Sequence, residues 1–111
     1  MNYKVDEING IDVLTIEEER LDTKVAPELK AQLLVLISEG KKVLLNLEKV
    51  QYADSSGLGA ILLGYRQARD LDAVFAVCSL QKRVQSLVTI AQLDGRISIF
   101  PDQASALANL K

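Results

Sequence analysis

The chain alternates between two hydrophobic periods, and this alternation restricts the architectures open to it. Val43-Leu44-Leu45-Asn46-Leu47 and Ala73-Val74-Phe75-Ala76-Val77 are nearly continuous apolar runs, and Ile97-Ser98-Ile99-Phe100 is a shorter one. Such runs suit buried strands covered on at least one face. Between them the apolar residues recur every three or four positions, the mark of one helix face. Leu29, Leu33, Leu36 and Ile37 precede the first run, Leu58, Ile61, Leu62 and Tyr65 the second, and Val84, Leu87, Val88 and Ala91 the third. Strands joined through helices form layered α/β sheets with parallel neighbours.

Both ends of the chain extend this plan. Tyr3–Ile8 and Ile11–Ile16 flank Asn9-Gly10, a pair that tolerates the positive φ angles of a type I′ turn, so a β-hairpin opens the chain. Pro101-Asp102 starts a last helix through Ala104, Leu107 and Ala108. The expected order is ββαβαβαβα: an α/β fold with a mixed sheet of about five strands and about four helices packed against it. At 111 residues this is one domain, 1–111, able to bury about two thirds of its unfolded surface. Asp22 or Thr23 is placed to cap the first helix, Pro27 fits its first turn and Gly40 stops it. The second helix ends near Arg69-Asp70. Ser79 is placed to cap the third, and Asp94-Gly95 to end it.

Composition removes several functions. There is no histidine, so neither a Ser-His-Asp nor a Cys-His nucleophile can be assembled, and a His-containing zinc site is excluded. We expect no enzyme, no metal and no cofactor. The net charge of −2 and the lack of any basic cluster beyond Lys41-Lys42 and Lys82-Arg83 argue against direct nucleic-acid binding. No apolar run reaches the 18 residues needed to cross a bilayer, and the first residues lack the pattern of a signal peptide. A cytoplasmic protein without membrane insertion is expected. The single Cys78 reads as a small buried hydrophobe at a strand end.

The junction between the strand Val43–Leu47 and the second helix carries the chemistry: Val50-Gln-Tyr-Ala-Asp54-Ser55-Ser56-Gly57-Leu58-Gly59. Asp and Ser side chains accept hydrogen bonds from the free N–H groups of a first helical turn, which puts Asp54-Ser55-Ser56-Gly57 at an N-cap. Gly57 and Gly59 each cost about 1 kcal/mol of helix propensity, and glycines there leave room for a close approach to backbone amides. They do not make a dinucleotide fingerprint, since Leu62 stands where G-x-G-x-x-G needs its last glycine. They do not make a P-loop either, since Gly64 is followed by Tyr65-Arg66. Tyr3, Tyr52 and Tyr65 are too scattered to stack bases and read as packing residues.

Asp54-Ser55-Ser56-Gly57-Leu58-Gly59 resembles the phosphorylation motif of anti-sigma factor antagonists, the small single-domain members of the STAS family, and the likeness extends over nearly the whole chain in length and element order. The resemblance implies a STAS-like fold. It maps the phosphorylated serine onto Ser55, with Ser56 capping the helix and shaping the turn and Asp54 holding the loop and offering the kinase an acidic feature. Residue types alone favour Ser55 as a helix cap, and it is the resemblance that turns the reading to a phosphate acceptor. The family's Gly-Glu-Leu-Asp loop resembles Glu19-Arg20-Leu21-Asp22, with Glu19 in place of the usual glycine and Asp22 retained near the phosphoacceptor. The implied partner surface is Asp22, Asp54, Ser55, Ser56, Gly57 and Leu58. The implied partners are an anti-sigma factor that is also a serine kinase, and a serine phosphatase that restores the unmodified form. Such a protein regulates sigma-factor-dependent transcription as a substrate and binding switch, and the ATP belongs to the kinase. Two other readings stay open: a STAS module scaffolding a signalling or membrane-transport complex, and a nucleotide- or small-molecule-binding domain.

Overall fold

Asn9 and Gly10 adopt φ angles of +54° and +78°, and the tight turn they form sets the register of the opening hairpin. The computed structural model describes residues 1–110. Strand β1 (Tyr3–Ile8) pairs antiparallel with β2 (Ile11–Ile16), with Ile8 opposite Ile11 and Tyr3 opposite Ile16. The short β3 (Arg20–Leu21) and helix α1 (Ala26–Leu36) follow, then β4 (Lys42–Asn46), the short β5 (Tyr52–Ala53) and helix α2 (Ser55–Asp70). Strand β6 (Val74–Cys78), helix α3 (Lys82–Ile90), β7 (Ser98–Phe100) and α4 (Gln103–Asn109) complete the order. The main sheet runs β1-β2-β4-β6-β7, parallel except for β1, and β3 and β5 form a separate parallel pair. The expected mixed five-stranded sheet with four helices is found, and the two-residue strands are additions to the expected order.

Alternation along each strand splits the apolar residues between two faces. Leu14, Leu45 and Val77 stand side by side in the register, and with Val43 and Phe75 they pack under α1, α2 and α3. Val13, Leu44 and Ala76 line the opposite face, which α4 covers through Ala106 and Leu110. Strands buried on both faces read as continuous apolar runs, which is why β4 and β6 were visible in the sequence. Thr15 and Asn46, paired in the register, are the buried polar residues on the α4 face, and Asn46 is the one tied into it by side-chain hydrogen bonds. It is 4% exposed, its Nδ2 donates to Gln103 Oε1 at 2.8 Å and its Oδ1 accepts from Glu48 N at 2.9 Å.

Several expected boundaries are displaced. Helix α1 ends at Leu36, before Gly40, which takes φ +76° in the turn beyond. Its N-cap residue is Val25, and no side chain caps it, so neither Thr23 nor Asp22 does. Pro27 lies in its first turn as expected. Ser79 does not cap α3: it sits at φ +62° before the helix, whose N-cap residue is Gln81, and α3 ends at Ile90 rather than at Asp94-Gly95. Asp102 does cap α4, its Oδ1 accepting from Ser105 N at 2.7 Å.

Candidate functional site

The site is built where two loops are laced together beyond the carboxyl ends of β2 and β4. Gln51 N and Tyr52 N both donate to Glu19 O, at 2.8 and 3.1 Å, and start the parallel pairing of Arg20 with Tyr52 and Leu21 with Ala53. Asp54 N donates to Leu21 O at 3.2 Å and closes the pair. The chain then turns directly into α2.

Asp54 is the N-cap of α2. Its extended backbone lets Oδ1 accept from Ser56 N at 2.9 Å and Gly57 N at 3.2 Å, while its carbonyl accepts from Leu58 N at 3.1 Å. The sequence suggested that the glycines leave first-turn amides open. Two of those amides are instead taken by Asp54, which weakens the anion-binding reading of this helix end. Capping falls to Asp54, and Ser55 and Ser56 are the first two helical residues. Ser55 is exposed and Ser56 half-buried. Among the described residues no hydrogen bond engages the Ser55 hydroxyl. Leu58 is half-buried against the main core.

Gly57 explains how the second loop comes to lie here. A Cβ at this position would sit 2.4 Å from Leu21 O and 2.8 Å from Leu21 Cγ, so only glycine lets α2 approach β3 this closely. Leu21 is fully buried by that approach and carries its neighbour Asp22 to the start of α2. Asp22 is half-buried and makes its own turn: Oδ1 accepts from Lys24 N at 3.0 Å, and its carbonyl accepts from Val25 N and Ala26 N at 3.1 and 2.8 Å. A Cβ added at Gly59 would meet nothing within 4 Å, so packing does not require a glycine there. The structure therefore gathers all six sequence-selected residues, Asp22, Asp54, Ser55, Ser56, Gly57 and Leu58, at one junction.

Two flanks extend the junction beyond the six residues selected from the sequence. On one side Tyr52, Ala53, Arg83, Ser86, Leu87 and Ile90 line a shallow groove of about 340 Å³ between β5 and α3. Tyr52, read as a packing residue, is 41% exposed, and the Arg20 guanidinium lies 5.6 Å from its ring centroid. Ile90 is 78% exposed. It is an apolar residue off the core-facing positions of α3, and that mismatch was the signal available in the sequence. On the other side Glu17, Glu18, Glu19 and Asp22 surround a depression of about 480 Å³ with Arg20 and Lys24, which makes that flank predominantly acidic. Among the described residues no group of three or more His, Cys, Asp and Glu side chains could hold a metal ion, and no helix is long and apolar enough to cross a membrane.

The STAS domain family model matches residues 2–106, and the chain belongs to that family. BtrV of Bordetella bronchiseptica, provisionally named an anti-sigma factor antagonist, is 28% identical over 102 residues, covering 91% of this chain and 84% of that protein. An anti-sigma F factor antagonist of Paenibacillus polymyxa is 32% identical over 69 residues, 62% of this chain and 59% of that one. The structure of an anti-sigma-factor antagonist (STAS) domain protein from Planctomyces limnophilus matches with a TM-score of 0.89 over 97% of both chains, at 19% identity, an agreement of fold.

Proposed function

We propose that this protein is an anti-sigma factor antagonist that binds an anti-sigma factor serine kinase through the β5–α2 junction and is released when Ser55 is phosphorylated. A serine phosphatase restores the binding form. The protein is then a switch in sigma-factor-dependent transcription and a substrate of the kinase, with no catalysis and no cofactor of its own, acting in the cytoplasm where its partners are. The observation that carries the reading is the state of Ser55: an exposed hydroxyl on the first residue of α2, relieved of capping by Asp54 and flanked by the Asp22 turn.

The physics of release follows from charge. A phosphoserine brings about −1.5 to −2 charges and needs water or cationic partners. A unit charge meeting a like charge about 8 Å away at an effective dielectric near 20 costs roughly 2 kcal/mol, about thirtyfold in affinity, and desolvation of the phosphate adds to it. No change of fold is needed. The test is incubation with the kinase encoded nearest to it and ATP, read by mass spectrometry and by calorimetric binding. One phosphoryl group should appear on Ser55 and none on Ser55→Ala. Ser55→Asp should bind the kinase at least tenfold more weakly than Ser55→Ala. Equal binding by both variants, or a phosphoryl group on another residue, refutes the reading.

A further inference from the structure

The main sheet ends at β1, which among the described residues has no strand on its outer side. Lys4, Val5, Asp6 and Glu7 are all exposed, Val5 by 41%. The pairing with β2 shows which backbone groups face outward. In a two-residue hairpin the residues flanking the turn, here Ile8 and Ile11, exchange backbone hydrogen bonds, and every second pair beyond them does the same. Asp6 with Val13 and Lys4 with Thr15 therefore bond inward, as does Asn2, whose carbonyl accepts from Glu17 N at 2.8 Å. The N–H and C=O groups of Tyr3, Val5 and Glu7 are left pointing away from β2, a row able to pair with another strand. Charges on such an edge ordinarily keep other chains off it. Here they are arranged to fit a second copy of the same strand. Lys4 and Asp6 share a face, their charged atoms 4.0 Å apart and both side chains more than half exposed, so their own ion pair contributes little and leaves both able to re-pair.

We propose that two copies of the chain join edge to edge through β1, antiparallel about a two-fold axis at Val5. Val5 of one copy then faces Val5 of the other and Tyr3 faces Glu7, each such pair exchanging both of its backbone hydrogen bonds. Lys4 of each copy faces Asp6 of the other, in the closer, non-bonded type of pair, where opposite charges stabilise. The charges also select this register over its neighbours. Because the outward groups belong to Tyr3, Val5 and Glu7, the strands can slide only in steps that keep these residues opposite one another. A step one way sets Lys4 against Lys4, and a step the other way sets Asp6 against Asp6. In the Val5-centred register no like charges meet, since Glu7 faces Tyr3. The proposal goes beyond the Ser55 reading and does not depend on it, because no residue of the β5–α2 junction takes part. A six-residue edge covers well under the roughly 800 Å² per partner of a standard interface, so the dimer is weak, with a Kd on the order of 100 µM.

Sedimentation velocity of the full chain, over two decades of concentration spanning that value, tests the proposal together with amide hydrogen exchange. The wild type should pass from monomer to dimer, and exchange at Tyr3, Val5 and Glu7 should slow several-fold across that range while Lys4 and Asp6 stay as they were. Val5→Pro deletes an outward N–H that β2 does not use, and proline is accepted on that side of an edge strand, so association should weaken by about tenfold or more. If Val5→Pro lowers the melting temperature, the charge variants decide. Lys4→Glu and Asp6→Lys each set like charges opposite one another and should weaken the dimer several-fold, and an equimolar mixture of the two should recover it, because each copy then supplies the charges the other lacks. A wild type that stays monomeric throughout overturns the proposal. So does a dimer that leaves the Tyr3, Val5 and Glu7 amides unprotected, or a mixture that associates no better than either variant alone.

Discussion

Gly57→Ala and Gly59→Ala should move stability in opposite directions although they lie two residues apart in α2. A methyl group on residue 57 would stand 2.4 Å from Leu21 O, where ordinary contact begins near 3.4 Å, so helix and strand must separate by about 1 Å. That movement stretches the Asp54 N to Leu21 O bond beyond its present 3.2 Å and loosens the pairing of Leu21 with Ala53. Overpacking of this kind costs about 1–3 kcal/mol and the lost hydrogen bond about 1 kcal/mol, against a gain of about 1 kcal/mol from replacing glycine in a helix. The net loss is about 2 kcal/mol, a fall in melting temperature of roughly 8 °C for a domain of this size. Residue 59 has open space around it, so only the helix gain of about 0.5–1 kcal/mol remains and the melting temperature should rise by a few degrees. Thermal melts and urea titrations of the two variants beside the wild type read both signs. A Gly57→Ala protein as stable as the wild type would show that the contact with Leu21 yields freely, and the account of how Asp22 is held at the site would fall with it.

Asp54→Ala should lose the cap on two amides at a cost of about 1 kcal/mol in urea unfolding, and Asp54→Asn should recover most of it; equal stability of all three would show that the cap contributes nothing. Burial pushes the Cys78 thiol above its ordinary value of 9.0, opposed in part by its hydrogen bond with Ser79. The unfolded chain therefore loses its thiol proton first, and the stability this provides is complete below pH 9 and disappears as pH rises through the folded value. The stability gap between wild type and Cys78→Ala should shrink above pH 9, and a gap that stays constant to higher pH would contradict the assignment.

What the sequence revealed depended on how long each signal ran. The hairpin turn, the buried runs of β4 and β6 and the start of the last helix at Pro101-Asp102 were readable because each rests on a local pattern of residue types. Strands β3 and β5 have two residues each, too few for any period, and they exist because Glu19 and Leu21 carbonyls meet the chain leaving β4. Helix α2 misled in another way. Its apolar pattern pointed to Leu58, Ile61, Leu62 and Tyr65, yet the fully buried side is Gly57, Ala60, Ile61, Gly64 and Ala68. A helix pressed closely against its neighbours wants small residues at the contact: a Cβ on Gly64 would already lie 3.1 Å from Leu33 Cδ1 and the Phe75 ring. The larger residues Leu58, Leu62 and Tyr65 fill the margins. The six site residues could be chosen from their motif and resemblance, whereas the Tyr52 and Ile90 groove could not, because it joins residues from two elements whose proximity only the fold provides.

The order in which the main sheet is assembled has a consequence for synthesis. After the first hairpin, each strand of that sheet lies next to the one made just before it, so β4 adds to β2, β6 to β4 and β7 to β6. A nascent chain leaving the ribosome can thus lay down its sheet by growth at one advancing edge, never opening a pairing already made. The junction bearing Ser55 would be enclosed midway through that growth, before the last strand and helix have been translated.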